Sequence, residues 1–137
     1  MTTIVIIDYG GSNLKSVYKA LESVSSKKIN VKVSSDVKEI VNSDKIVFPG
    51  QGAIGNCMSQ LKKTGLSKKI ENLCQTKPFL GICLGHQLLA TALGGKVEKA
   101  KTAEVGIHSI SLTDDGRVHG FFKDCPREFA CLQWHGA

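Results

Sequence analysis

The sequence predicts a three-layer α/β fold around a mainly parallel sheet. Short runs rich in apolar residues, at 4–7, 29–33, 45–48 and 79–82, alternate with stretches of helical periodicity. Residues 4–7 are apolar at every position, which is typical of a strand buried on both faces of a parallel sheet. Strands and helices that alternate at this spacing form right-handed βαβ units, with functional groups at the carboxyl ends of the strands.

Composition and charge indicate an ordinary globular chain. Its 137 residues, 42% hydrophobic and 22% charged, are expected to form one domain, 1–137. No apolar stretch is long enough to span a membrane and no signal peptide precedes the first strand, so we expect a cytoplasmic protein without a membrane partner. The net charge of +6 comes mainly from lysines, beside only Arg117 and Arg127, which argues against nucleic acid as a partner.

The cysteines are expected to be reduced thiols. They are Cys57, Cys74, Cys83, Cys125 and Cys131, and no two of them form a CxxC pair. Their spacing relative to the histidines does not match a zinc site, so no metal site is predicted, and no other cofactor is expected. Cys57 and Cys74 fall on the predicted core faces of helices, and Cys131 falls on that of a strand.

The first half of the chain follows the alternation of strand and helix closely. Leu14, Val17 and Leu21 form one apolar stripe, which predicts a helix that begins at about Asn13. The further elements are a strand at 29–33, a helix at 37–42 capped by Asp36, a strand at 45–48, and helices that end near 63 and 74. The turn after the first strand, Asp-Tyr-Gly-Gly-Ser at 8–12, lacks the G-x-G-x-x-G pattern of a dinucleotide site.

Short β segments are predicted for the last third of the chain. Residues 93–95, Leu-Gly-Gly, are typical of a helix end. Strand candidates follow at 96–98, 105–112, 118–122 and 128–134. Residues 114–116, Asp-Asp-Gly, are typical of a hairpin turn.

Cys83 is the candidate nucleophile. The apolar strand at 79–82 runs directly into it, a helix begins immediately after it, and Gly81 and Gly85 flank it. This layout is typical of a nucleophile elbow, a sharp strand-to-helix turn that holds a reactive side chain on a strained backbone. The N-terminus of the following helix favours the thiolate over the thiol. The alternative is a buried structural cysteine, which is what most cysteines are, but the combined pattern, with Gln87 one helical turn on, favours the nucleophile.

The segment Gly-Ile-Cys-Leu-Gly-His-Gln, at 81–87, resembles the nucleophile motif of the class I (triad) glutamine amidotransferases. The resemblance implies a flavodoxin-like fold and L-glutamine as the substrate, whose side-chain amide Cys83 would attack to give a thioester and ammonia for a partner synthase. Residues 8–14 and 49–53 resemble the glutaminase subunit of imidazole glycerol phosphate synthase, except that Ser12 replaces a glycine. His86 and residues 93–97 resemble the GMP-synthase-like branch more closely.

The same resemblance implies the residues that would bind substrate. Attack on an amide forms an oxyanion, which backbone N–H groups usually stabilise. The expected donors are Leu84, directly after the nucleophile, and Gly52, in the Pro-Gly-Gln-Gly turn at 49–52. The full set of expected substrate-binding residues is Gly50, Gly52, Leu84, Gln87, Trp134, Gly136 and Ala137.

No catalytic base is assigned. The family places it in a His-Pro-Glu segment or a close variant, but none of His86, His108, His119 and His135 has a carboxylate two residues later. The resemblance implies that the catalytic histidine and glutamate lie beyond Ala137. We therefore expect a truncated domain with impaired turnover, and an uncovered sheet edge that favours self-association.

Two other functions fit parts of the pattern. The first is a non-catalytic module of the same fold that binds a synthase partner, which the missing His/Glu pair favours. The second is a cysteine hydrolase of the ThiJ/PfpI-like type, which shares the elbow. Those hydrolases typically have a histidine directly after the nucleophile, whereas Leu84 follows Cys83 in this sequence.

Overall fold

A four-stranded parallel sheet forms the centre of the first of two units, Met1–Val97, into which the chain divides. The computed structural model describes residues 1–10, 13–52, 54–122 and 124–135. The second unit, Glu98–Ala137, has its own two-stranded sheet. The prediction that residues 1–137 form a single domain stays a prediction. Within the described ranges, no helix combines the length and the apolar character needed to cross a bilayer.

The first unit alternates strand and helix as predicted. Its elements are β1 (Thr2–Ile7), α1 (Leu14–Val24), β2 (Ile29–Ser34), α2 (Val37–Asn42), β3 (Lys45–Gly50), α3 (Ile54–Lys63), α4 (Ser67–Thr76), β4 (Phe79–Cys83) and α5 (Leu84–Ala92). The strand order is β2-β1-β3-β4, and each neighbouring pair is parallel. This order is that of a doubly wound sheet, which confirms the predicted α/β fold class.

Side-chain caps fix where the first helices begin. Asn13 accepts a hydrogen bond from the main-chain N–H of Ser16 at the start of α1, at 3.4 Å. Asp36 accepts one from the N–H of Lys38 at the start of α2, at 2.7 Å. Such caps satisfy N–H groups that have no partner within the helix. The predicted helix starts near Asn13 and Asp36 are therefore confirmed.

The hydrophobic core lies along β1 and β3. Val5, Ile6, Ile7 and Ile46 are each at most 1% exposed, as expected for strands buried on both faces. Phe48 is fully buried on β3, and its ring meets those of Tyr9 and Phe79 edge-on, with centroids 5.5 and 6.1 Å apart. These ring contacts join the end of β1, the middle of β3 and the start of β4.

Lys77 fastens the loop before β4 to the end of α2. Its Nζ donates to the carbonyl oxygen of Val41, at 2.6 Å, and also to that of Ser43. The last carbonyl groups of a helix have no partner within it, and a cation there also complements the helix dipole. The Lys77 side chain thus fixes the position at which β4 enters the sheet beside β3.

We expect Lys77→Met to lower the free energy of unfolding by about 1.5–3 kcal/mol, the range for hydrogen bonds to charged groups. The matched control is Lys19→Met, which removes the same charge from an exposed position on α1 and should cost less than about 0.5 kcal/mol. Urea titrations of both variants measure the difference. Equal losses in the two variants would contradict a specific role for Lys77.

The second unit is an antiparallel ribbon with a short helical connection. Strand β5 (Glu104–Ser111) pairs with β6 (Glu128–His135) from Glu104 opposite His135 to Ser111 opposite Glu128. The strands predicted at 105–112 and 128–134 are therefore confirmed. Between them lie α6 (Asp114–Val118) and a 3-10 helix (Gly120–Phe122).

The predicted hairpin turn at 114–116 and the strand at 118–122 are wrong. Thr113 Oγ1 accepts a hydrogen bond from the N–H of Gly116 at 3.1 Å, which makes Thr113 the N-cap of α6. Asp114 and Asp115 then lie in the first turn, where the helix dipole favours carboxylates. The acidic pair reads as a turn signal in sequence, but it serves equally well at a helix start.

The strand predicted at 96–98 is also wrong. Helix α5 ends as expected, with the N–H of Gly95 bonded to the carbonyl of Ala90 at 2.8 Å and Gly94 at a φ of 82°. Beyond it, β5 pairs with β6, and residues 96–98 are not part of a strand. A strand forms only where a second strand offers its backbone groups.

Candidate active site

Cys83 occupies a sharp turn between β4, which it ends, and α5, which begins at Leu84. Its φ of 55° and ψ of −122° make it the one non-glycine residue at positive φ in the described part of the chain. Such a conformation strains an L-residue and is typical of functional turns. The residue is exposed, which excludes the alternative of a cysteine buried in the core.

Three glycines let the backbone close tightly around this turn. A Cβ built on Gly81 would lie 2.5 Å from the Cα of His86, and one on Gly85 would lie 1.9 Å from the carbonyl oxygen of Phe48. A Cβ on Gly50 would lie 2.5 Å from the N atom of Gly85. All three distances are shorter than real Cβ contacts, so only glycine fits. The glycines around Cys83 therefore set the close approach of β3, β4 and α5.

The predicted oxyanion turn begins beside Cys83. Gly50 pairs with Cys83 across β3 and β4, so the carboxyl ends of the two strands lie side by side, as predicted. Gly52 follows two residues later at a φ of 88°, exposed, in a conformation that L-residues rarely adopt. The assignment of Gly50 and Gly52 to substrate binding stays a prediction, since no bound substrate tests it.

The N-terminus of α5 lies immediately after the thiol. Cys83 is its N-cap residue, but its side chain makes no capping hydrogen bond. The first N–H groups of a helix have no partner within the helix, and they carry partial positive charge. Leu84 supplies the first of them, and Gln87 lies half-buried one turn further on. The arrangement places N–H donors where an anion formed at Cys83 would need them.

His86 makes a contact with the elbow that sequence reasoning missed. Its Nδ1 lies 3.0 Å from the carbonyl oxygen of Cys83, and because a carbonyl only accepts, the ring nitrogen donates. The signal in the sequence is positional, since His86 is the third residue after the N-cap, where side chains often reach back to the cap. In the sequence this histidine marked only a resemblance to one branch of the family.

The remaining predicted site residues lie in the second unit. Trp134 is on β6, where its backbone is described, and Gly136 and Ala137 lie outside the described residues. His135, the last residue of β6, is likewise described only in its backbone. The expected pocket roles of Trp134, Gly136 and Ala137 stay predictions.

The other histidines and cysteines whose side chains the structure describes form no second reactive cluster. His108 and His119 are exposed. Cys57 is buried on α3, and burial raises the pKa of its thiol, although a hydrogen bond with Tyr9 acts in the opposite direction. A raised thiol pKa means less thiolate and slower reaction, so Cys57 is a core residue, as predicted. In the described residues, no cluster of His, Cys, Asp and Glu could hold a metal ion.

A polar cavity of about 410 Å³ borders the turn on which Gly52 lies. Its lining consists of Tyr9, Gly10, Gln51, Gly52, Asn56, Cys57, Ser59, Gln60 and Lys63. Neither Cys83 nor Gln87 is part of this lining, so we do not assign the cavity as the pocket for the group that Cys83 attacks.

Comparison with protein families gives one match along almost the whole chain. The sequence model of the family Glutamine amidotransferase class-I matches residues 5–137. A similar protein of known structure, from Thermoplasma acidophilum and described as a GMP synthase component, superposes with a TM-score of 0.76 at 26% identity. That alignment covers 98% of this chain and 65% of the other.

Curated relatives carry the name imidazole glycerol phosphate synthase subunit HisH. The Pseudomonas putida protein is 42% identical over 128 residues, covering 93% of this chain and 55% of its own. The Neisseria meningitidis protein is 33% identical over 149 residues, covering 90% and 69%. The Chromobacterium violaceum protein is 44% identical over 86 residues, covering 63% and 41%. The chain thus spans about half the length of the first relatives it matches, between 41% and 55%.

Proposed function

The chain belongs to the class-I glutamine amidotransferase family, and on this premise we propose that it carries the nucleophile of a glutaminase that converts L-glutamine to glutamate and ammonia. The observation that carries the proposal is the geometry at Cys83. The thiol is exposed on a strained turn, the N-terminus of a helix follows it, and the end of β3 lies beside it. A thiolate in such surroundings is a nucleophile for a carbonyl group.

The reaction would proceed through a thioester. The Cys83 sulfur attacks the side-chain amide carbon of glutamine, and the carbonyl oxygen takes the negative charge of the tetrahedral intermediate. The N–H groups of Leu84 and Gly52 would stabilise that charge. Collapse breaks the C–N bond and releases ammonia once the nitrogen has gained a proton. Water then hydrolyses the glutamyl thioester, and glutamate leaves with the thiol restored.

We further propose that residues outside this 137-residue stretch supply the general base. No histidine of the sequence has the carboxylate two residues later that the family's His-Pro-Glu arrangement provides. The ring of His86 is engaged with the Cys83 carbonyl oxygen rather than with the sulfur. The stretch would therefore react at Cys83 with electrophiles whose leaving group needs no proton far more readily than it turns over glutamine.

The ammonia acceptor in this proposal is a synthase partner in imidazole glycerol phosphate formation. The support is the name shared by relatives that match 90% or more of this chain, at 42% and 33% identity. The Asp-Tyr-Gly opening at 8–10 and the turn at 49–52 carried the same resemblance in the sequence.

Covalent labelling tests the nucleophile. A chloroketone analogue of glutamine should alkylate Cys83 selectively, and excess L-glutamine should slow the reaction by competing for the site. Peptide mapping identifies the labelled residue, and Cys83→Ser should abolish the labelling. Cys57, buried and with a raised thiol pKa, is the internal control and should stay unmodified. Labelling spread over the exposed thiols without protection by glutamine would refute the proposal.

Ammonia release tests the proposed location of the base. We expect the 137-residue chain to release ammonia from glutamine at no more than the rate of its Cys83→Ser variant. Release above that rate, lost on the substitution, would show that the stretch holds its own base. His135, at the end of β6, would then be the first candidate.

A further inference from the structure

We propose that His86 is a positioning residue for the oxyanion hole. Its Nδ1–H donates to the carbonyl oxygen of Cys83, at 3.0 Å. That oxygen belongs to the peptide group whose other end is the N–H of Leu84, one of the two expected oxyanion donors. The inference rests on the proposed function and deepens it by naming what holds the donor in place.

The planarity of the peptide group links the two ends. Carbonyl oxygen and amide hydrogen of a trans peptide lie in one plane and point in opposite directions. A hydrogen bond that fixes the Cys83 oxygen therefore also fixes the direction of the Leu84 N–H. Donation to the oxygen polarises the peptide as well, which strengthens its N–H as a donor.

The peptide group between Cys83 and Leu84 gains a second donor on its oxygen from His86, beside the first intrahelical hydrogen bond that the carbonyl of an N-cap residue accepts. Its orientation is set by the ψ of Cys83, −122°, in a residue whose φ of 55° already strains it. At most helix starts the N-cap side chain stabilises the first turn. Here the N-cap side chain is the thiol, which makes no capping bond and has to stay free for attack. His86 supplies a substitute contact from the third helical position.

The hydrogen bond also restricts the ring's chemistry. Since Nδ1 carries the proton that the carbonyl accepts, a neutral ring has its lone pair on Nε2. Protonation of Nε2 leaves the Nδ1–H in place, so the contact survives in both protonation states. The contact therefore does not depend on the charge of the ring.

A matched pair of substitutions separates positioning from proton transfer. His86→Asn keeps an N–H donor two bonds from Cβ, where Nδ1 lies in histidine. His86→Leu has nearly the shape of the asparagine variant but no donor. The side chain of His86 is exposed, so both variants should fold. Unchanged urea midpoints check this.

The probe is an activated γ-glutamyl ester with a p-nitrophenolate leaving group. The Cys83 thiolate adds to the ester carbon, which forms the C–S bond and moves the negative charge to the carbonyl oxygen. Collapse then restores the carbonyl group of the thioester. The C–O bond breaks as p-nitrophenolate departs with its electron pair, a leaving group that needs no proton from a base. The absorbance of p-nitrophenolate gives the acylation rate, after subtraction of the rate with Cys83→Ser. Iodoacetamide is the reference, since its displacement of iodide forms no oxyanion.

We expect His86→Leu to slow acylation about tenfold, less than the roughly 100-fold or greater loss that removal of an oxyanion donor causes. His86→Asn should stay within about threefold of the unsubstituted chain, with an unchanged pH profile, and iodoacetamide should react with all three at similar rates. The positioning role would be overturned if His86→Asn slowed acylation as much as His86→Leu does. It would also be overturned if His86→Leu slowed the reactions with the ester and with iodoacetamide equally. If the unsubstituted chain shows no Cys83-dependent acylation, the proposed function fails and the inference fails with it.

Discussion

Replacing Gly85 by alanine is expected to destabilise the first unit by more than about 3 kcal/mol and to abolish the labelling of Cys83 by the glutamine analogue. The added Cβ would lie 1.9 Å from the carbonyl oxygen of Phe48, a main-chain atom of a central strand. A flexible side chain could move away at little cost, but this oxygen is fixed within a sheet. The clash can be relieved only if α5 and β3 move apart, which would displace the turn that holds Cys83.

The helix propensity of alanine acts against the destabilisation expected for Gly85→Ala. A measured loss of stability is therefore a stringent test of the clash. Alanine is favoured over glycine in a helix by about 1 kcal/mol. The matched control is Gly55→Ala on α3, where, apart from the chain neighbours and the backbone of the helix itself, no atom of the described residues lies within 4 Å of the built Cβ. That variant should be neutral or slightly stabilised. If Gly85→Ala behaved like Gly55→Ala, the close contact between the elbow and β3 would be refuted.

Unfolding of the first unit can be followed through Cys57, which is 3% exposed. Brief alkylation at each urea concentration, followed by peptide mapping, reports the fraction of molecules in which this thiol is accessible. The measurement is specific to the first unit, because Cys57 lies on α3. The same readout serves for substitutions at Phe48.

Truncation of Phe48 to alanine is expected to cost about 3–5 kcal/mol of the free energy of unfolding. The ring is fully buried and lies between those of Tyr9 and Phe79. Its removal leaves a cavity and breaks two edge-on aromatic contacts, each worth about 0.5–1.5 kcal/mol beyond the buried area. The lost packing contacts are those of β3, the strand that leads into the turn beside Cys83.

The control for Phe48 is Val24→Ala at the end of α1. Val24 is 81% exposed, so its truncation should change the free energy of unfolding by less than about 0.5 kcal/mol. Phe48→Leu retains most of the apolar volume and should lose clearly less than Phe48→Ala. A loss below about 1 kcal/mol for Phe48→Ala would contradict the view that this ring holds the three strands together.

Local sequence determined most of the first unit. Residues 4–7 predicted a doubly buried strand because apolar side chains at consecutive positions cannot all face one side. Asp36 predicted the start of α2 because its side chain caps a helix without help from distant residues. The elbow at Cys83 was predictable for the same reason, since strand, glycines and helix follow one another directly in the chain.

Contacts formed in the folded chain decided what sequence patterns left ambiguous. Residues 114–118 carry a turn signal and a helix-cap signal at once, and the hydrogen bond from Gly116 to Thr113 selects the helix. Residues 96–98 resemble a strand, but a strand exists only where another strand offers its backbone groups. Which segment finds a partner depends on the whole chain.

The sequence by itself determined that Cys83 lies at a strand-to-helix turn and that the chain has the pattern of a glutamine amidotransferase, because both depend on residues adjacent in the chain. Only the tertiary structure decided that Gly50 lies opposite Cys83, that the Phe48 carbonyl leaves no space for a side chain at residue 85, and that the His86 ring bonds to the Cys83 carbonyl. Strand register and main-chain proximity arise when separate segments pack together, and the rotamer of His86 depends on the backbone of the turn, so one-dimensional patterns do not encode them directly.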